Sequence, residues 1–403
     1  MGRTARNDAN MVTFAFDSFV NGVPYPNLAI LDAWPGTPAW REFANNYPYS
    51  EPVHFLEYLK QENVEFEAVN VNSAPNTAIY PISVSFFDFT VNWFELMPKT
   101  TLNRIKNKDL KVWFLYSEGD NPFLIKKHLV LQCKQSGIEW GQIHFTSANT
   151  AAEQIDNFSY FADDEMLYRL RNRSPGLPYH EQPRTKKFTA LSRIHKWWRA
   201  TTMARIWNKN LHTQGYFSYN NQIDVGETEA DNPIEVGTLN FTKTVYDFLE
   251  SCPFNADEYT SEWHNIYHNT VDKHHTNSYL NLVLETHLDA DQSGGTFLTE
   301  KTFKPIKHSQ LFLILGPPGS VAQLRKMGYK TFDTWIDHGY DSIENNTQRW
   351  DAVMREFERL CASDLHRIYI DCCASIEHNQ RLFLSDKSQR LNTLLQKVQH
   401  EQS

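Results

Sequence analysis

The apolar positions of this chain fall into short runs parted by polar turns. Val12–Phe16 is such a run, closed by Asp17, and predicts a strand with a polar end. Pro52–Gln61 predicts a helix, and residues 64–71 alternate as a strand does. Residues 79–89 are another apolar stretch, with Asp88 near its end. The clearest unit is 110–149. A strand over 112–116 runs into the turn 117–120, and Asn121 then caps a helix with Pro122 at its first position. Ile125, Leu129 and Cys133 recur at helical spacing, Gly137 closes the helix, and 143–145 forms the next strand. Strand, helix and strand of this length predict a parallel sheet, whose ligands bind beyond the carboxyl ends of the strands.

Residues 150–172 read as helical, and 173–187, with Pro, Gly and Arg, as a linker. A second sheet starts at 188–191. It is followed by a basic, aromatic loop and helix over 192–210, a short strand or turn at 215–220 and a strand at 279–286. The acidic segment 221–265 receives no role. Residues 294–319 read as loop, short helix, buried strand and turn: Thr299 caps, and Leu311–Leu315 is apolar without a break, as suits a strand buried on both faces. A helix at 321–327, a strand at 329–332, a loop at 335–341, an amphipathic helix at 347–362 and a long closing helix at about 367–399 complete the pattern. The expected division is an α/β domain over 1–180, a second over 181–375 and a C-terminal helix over 376–403.

Composition narrows the class. A hydrophobic share of 41% over 403 residues supplies two cores, and the net charge of −9 gives no support for general nucleic-acid binding. No 18-residue apolar run and no apolar leader after the first methionine is read, so the expectation is a cytoplasmic protein without membrane partners. Cys133, Cys252, Cys361, Cys372 and Cys373 lack the spacing of a disulfide framework or a zinc module.

Candidate chemistry gathers at Thr299-Glu300-Lys301. An acid and an amine side by side at a helix start suit a nucleotide diphosphate, the lysine and free backbone N–H groups meeting phosphates and the carboxylate meeting ribose hydroxyls. The whole run 282–316, LVLETHLDADQSGGTFLTEKTFKPIKHSQLFLILG, resembles the donor-binding stretch of the alpha-1,3-fucosyltransferase family, which has soluble viral relatives. In that family an apolar strand ends in Glu, and aromatic-x-Thr-Glu-Lys, a helix and an apolar strand leading to Gly follow. The resemblance assigns donor binding to Glu285, Phe297 (Tyr is usual in the family), Thr299, Glu300 and Lys301. It implies a GT-B architecture, two Rossmann-like domains facing a cleft. It also implies a metal-independent glycosyltransferase that moves a sugar from a nucleotide-diphosphate sugar to a hydroxyl acceptor and needs no cofactor. An Arg on the helix after the first strand of the second domain should pair with the pyrophosphate; Arg199 is the first candidate and Arg193 the second. The catalytic base should be a carboxylate of the first domain, with Glu118 ahead of Asp120, and Asp17 and Asp88 behind them.

Several patterns read more simply. Asp120 doubles as a turn acid near the cap of the Pro122 helix, and Asp289-Ala-Asp291 reads as a turn before Gly294-Gly295 rather than a metal site. His264 and His268, with His274 and His275 behind them, lack a third zinc ligand. The acceptor is expected to be a glycan, or a hydroxymethylated base in DNA if the basic run 193–209 forms a local groove. The rival expectations are a non-catalytic carbohydrate- or nucleotide-binding protein on a transferase scaffold, and a viral structural protein.

Overall fold

Strand β1 (Val12–Phe16) stands inside the sheet of the first unit, with neighbours on both sides. The computed structural model describes residues 11–20, 22–25, 27–28, 52–84, 87, 89–116, 118–162, 167, 170–171, 175–192, 194–220, 229–235, 239–256, 272–289 and 294–400. The chain divides into two α/β units, Met1–Tyr168 with Asp386–Ser403, and Arg169–Ser385.

In the first unit a small hairpin, β2 (Ser18–Val20) and β3 (Val23–Tyr25), follows β1. The strands β4 (Phe66–Asn70), β5 (Ala78–Val84), β6 (Leu110–Tyr116), β7 (Ile143–Ser147) and β8 (Phe158–Tyr160) join β1 in a parallel sheet, ordered β4-β1-β5-β6-β7-β8. Successive side chains of a strand face opposite ways, and β6 shows the result. Val112, Phe114 and Tyr116 enter one core layer with Tyr80, Leu129 and Phe145, while Trp113 enters the other with Phe14 and Leu59. That second layer is closed by the last helix, Ser388–His400, through Leu391, Leu394, Leu395 and Val398.

Helix Pro122–Ser136 forms as its residues dictate. The Asn121 side chain accepts from Phe123 N, Pro122 occupies a first-turn position, and Gly137 ends the helix at φ 68°. Residues 150–162 depart from the helical expectation. A single turn, Thr150–Gln154, leads into β8, whose Phe158 ring stacks on Phe145 at 4.7 Å. Burial of an aromatic against the sheet outweighs local helix propensity there.

The second unit carries β9 (Lys186–Ser192), β10 (Tyr216–Tyr219), β11 (Ser278–Leu284) and β12 (Leu311–Leu315), all parallel, in the order β10-β9-β11-β12. Every residue of β12 is buried, as its unbroken apolar run predicts. The order reverses between β9 and β11: from β9 the chain goes outward to β10 and then returns past β9. In open parallel sheets the crevice beyond the carboxyl ends at such a reversal is where ligands sit.

Two expectations for the C-terminal part of the chain are corrected. Residues 329–332 pair with no strand, and Phe332 has φ 40°, outside the extended range a ladder needs. The closing helix is three helices, Leu365–Asp371, Cys373–Leu384 and Ser388–His400. The last break is built by Asp386, whose carboxylate accepts from Ser388 N at 2.7 Å and Ser388 Oγ at 3.0 Å, a cap that restarts the helix. The acidic segment, for which no element is predicted, contains a helix, Leu239–Glu250, whose Phe248 is fully buried.

Candidate functional site

Strand β11 delivers Glu285, Thr286 and His287 to the carboxyl end of the sheet, beside the reversal. Glu285 is wholly buried. Its Oε1 accepts from Thr299 N at 3.1 Å and Thr302 Oγ1 at 2.6 Å. Its Oε2 accepts from Thr299 Oγ1 at 2.7 Å and Thr286 N at 3.2 Å. A buried carboxylate with four donors is a satisfied anchor. It fixes the start of helix Glu300–Lys307 against the strand. Gly316 closes the other side: a Cβ there would stand 2.9 Å from Ser320 Oγ and 3.3 Å from Glu285 Cβ.

This arrangement corrects one expectation. The backbone N–H groups at the helix start are not open to a phosphate. Thr299 N is taken by Glu285, Lys301 N lies 3.3 Å from Thr299 Oγ1, and Thr302 N bonds Thr299 O at 3.1 Å. The anion that the helix terminus favours is the protein's own Glu285.

Three cations converge around this anchor. Lys301 Nζ lies 3.2 Å from Thr286 Oγ1 and 3.3 Å from Thr299 Oγ1, and 31% of its side chain is exposed. Lys196 Nζ donates to Thr286 O at 3.0 Å. Arg199 is buried on helix Trp197–Asn208, donates to Glu285 O at 2.6 Å, and lies over the Trp198 ring at 5.1 Å. Two helices and one loop thus place three positive groups about residues 285 and 286. His287 registers their field. Burial first, and then the charges of Lys196, Arg199 and Lys301, push its imidazole down to about 4, with Asp289 opposing.

Glu300 is buried beside Lys301, at 3.2 Å from its Nζ. Burial would raise its carboxyl, but the ammonium groups of Lys301 and Lys304 outweigh it and hold the group below the ordinary carboxylate range. Phe297 is buried, with its ring centroid 6.3 Å from that of His287. Arg349, also buried, ties the two strand ends together by donating to Gly316 O at 3.0 Å and Leu288 O at 2.6 Å.

Further along the basic run, Arg205 and Lys209 are consumed internally. Arg205 pairs with Asp351 and Glu358, each at 2.7 Å, and Lys209 pairs with Glu358 at 2.8 Å. A continuous basic groove on this helix is therefore not what the run builds. Arg193, Asp88, Asp291, His264 and His268 lie outside the described residues. His275 stacks on His308 at 4.7 Å, and among the described residues no metal-binding group of His, Cys, Asp and Glu occurs.

In the first unit, Glu118 and Asp120 are half-buried just beyond the carboxyl end of β6. The Tyr116 hydroxyl donates to Asp120, while Asn121 is the residue that caps the following helix. Burial, then the charges of Asp120 and Glu118, raise the Tyr116 hydroxyl well above its ordinary value. Asn149 is buried and donates to Gly119 O at 2.9 Å, fastening the turn that carries both acids to the end of β7. Asp17 accepts from the Tyr80 hydroxyl and from Thr101 Oγ1 at 2.6 Å, so it is engaged in packing its own layer.

Sequence reasoning found Glu285, Thr299, Glu300, Lys301 and Arg199, which the structure brings together. It gave no individual role to Thr286, His287, Thr302 and Arg349, and read Lys196 only as part of a basic run. For Thr286 and His287 the signal was position just after a strand end, which no short motif marks; Thr302 and Arg349 lie inside helices, where nothing local singles them out. Comparison with family models, with curated proteins and with solved structures finds no match.

Proposed function

We propose that this chain is a GT-B glycosyltransferase whose second unit binds the diphosphate of a nucleotide sugar at the β9/β11 reversal. The observation that carries the reading is the convergence of Lys196, Arg199 and Lys301 on residues 285 and 286 at the carboxyl end of the sheet. A departing diphosphate gains negative charge as the sugar leaves, and fixed ammonium and guanidinium groups stabilise that charge without a metal ion. Glu300, held ionised by its lysine neighbours, is suited to accept bonds from ribose hydroxyls.

The acceptor's proton goes to a carboxylate of the first unit. Glu118 is assigned this role ahead of Asp120; both stand half-buried just beyond the carboxyl end of β6. A glycan acceptor is favoured over a base in DNA, since Arg205 and Lys209 spend their charge on Asp351 and Glu358.

The test is thermal melting with GDP, UDP, ADP and their sugars. A nucleotide diphosphate at a hundredfold excess over its Kd adds about 2.7 kcal/mol, a rise of roughly 5–10 °C in Tm. Lys196→Gln with Lys301→Gln should abolish the rise. A wild-type melting point that none of these ligands moves would refute the assignment, and nucleotide binding without sugar transfer would make this a binding protein instead.

A further inference from the structure

Helix Pro122–Ser136 is apolar on both of its faces. Inward, Ile125, Leu129 and Cys133 are buried in the first unit's core. Outward, Phe123, Leu124, Val130 and Leu131 are 43%, 55%, 39% and 53% exposed. At 3.6 residues per turn, Phe123 and Val130 form one outer row and Leu124 and Leu131 a second, with Lys127 and Lys134 between them. Lys126 is half-buried beside them. Phe89, also exposed, sets its ring 5.5 Å from that of His128 and widens the patch. A surface helix normally turns a polar face outward, so four large apolar side chains in two rows mark a contact surface.

Charge identifies what the surface meets. No acid occurs between residues 121 and 138. Glu139, the first one after the helix, pairs with Lys108 at 2.7 Å. Among the described residues, Lys126, Lys127 and Lys134 have no ion-pair partner. A second copy packed face to face through this helix would set these lysines against themselves, whereas an anionic counter-surface pairs them. The helix is also locked into the core along its inner face, so only side-chain tips can enter a partner. Apolar tips then reach just below a layer of headgroups while the lysine ammoniums end at the phosphates.

We propose that the outer face of helix Pro122–Ser136 is a peripheral docking surface for an anionic lipid membrane. This is contact with a surface and not a span: among the described residues no helix is long and apolar enough to cross a membrane. It departs from the expectation of no membrane partner, which rested on the lack of a long apolar run.

Flotation of the full chain with phosphatidylcholine vesicles, with and without phosphatidylserine, tests the proposal. The protein should float with the phosphatidylserine vesicles only, and fall off as salt is raised. The pair Lys127→Gln and Lys134→Gln should weaken this binding about tenfold or more. The pair Leu124→Ser and Leu131→Ser should abolish it. All four positions are exposed, so Tm should stay at the wild-type value. Failure to float with either vesicle, or equal flotation by the wild type and both variant pairs, overturns the proposal and leaves an acidic protein partner as the occupant.

Discussion

Glu285 shows how one buried side chain fixes the start of a helix against a strand end. Its two oxygens accept from Thr299 N, Thr302 Oγ1, Thr299 Oγ1 and Thr286 N. Glu285→Gln keeps the shape but turns one acceptor into a donor, facing two groups that are themselves donors. Bonds to a charged acceptor contribute more than neutral ones, and an unmatched buried donor adds its own penalty. The expected loss is about 2–3 kcal/mol in the second unit, read as a lower urea midpoint. A loss below about 0.5 kcal/mol would show that the ionised carboxylate is not what holds the helix. Thr299-Glu300-Lys301 was legible because adjacency in sequence survives folding. The part played by Glu285 was only half legible. Its place at a strand end was visible, but two of the three threonines that consume it, Thr299 and Thr302, come from another element.

At the scale of elements, the end of helix Glu300–Lys307 hides a histidine pair. His308 follows that helix, and His275 belongs to helix Asp272–Thr276. Their rings stack at 4.7 Å, and Gln310 meets His275 Nδ1 at 2.6 Å. Burial, and then neighbouring positive charge, pushes His308 down to about 2. Burial likewise pushes His275 down to about 3, against the hydrogen bond it donates to Gln310 Oε1. Both therefore stay neutral in the folded state at ordinary pH, while an unfolded histidine titrates near 6.5. Below pH 6.5 the unfolded chain takes up protons that the folded chain refuses. Stability is full above that value and is lost as pH falls from about 6.5 toward about 3, by up to about 1.4 kcal/mol per pH unit for each imidazole. The urea midpoint of the second unit should drop over this window, and His308→Gln should make the drop shallower. An unchanged slope would mean that the pair does not govern acid lability. The elements themselves were legible where one period dominates, as in β12 or helix Pro122–Ser136. They were misread where two signals overlap. The apolar rhythm of 367–399 runs through Ser385-Asp386, so the cap there was passed over, and the tertiary pull of Phe145 on Phe158 leaves no local trace.

The whole molecule is not a simple succession of two domains. Its first unit is closed by residues that follow the second in sequence, and this discontinuity carries a test. Helix Ser388–His400 places Leu391, Leu394, Leu395 and Val398 against Phe14 and Trp113, all buried. Lys111 Nζ donates to Val398 O at 2.7 Å, and Lys387 N donates to Glu62 at 3.0 Å. Removing four such side chains forfeits roughly 6–12 kcal/mol of apolar burial, comparable to the 5–15 kcal/mol that holds a domain folded. A chain truncated after Ser385 should therefore lose the first unit and keep the second. The second unit has its own sheet, with helix Cys373–Leu384 packed on helix Glu300–Lys307 through Phe383 and Phe303 at 5.7 Å. Limited proteolysis should cut the truncated protein throughout residues 11–168 and leave a resistant fragment covering 169–385. Protection of 11–168 in the truncated chain would show that the last helix is an appendage, and loss of both units together would show that neither folds without the other.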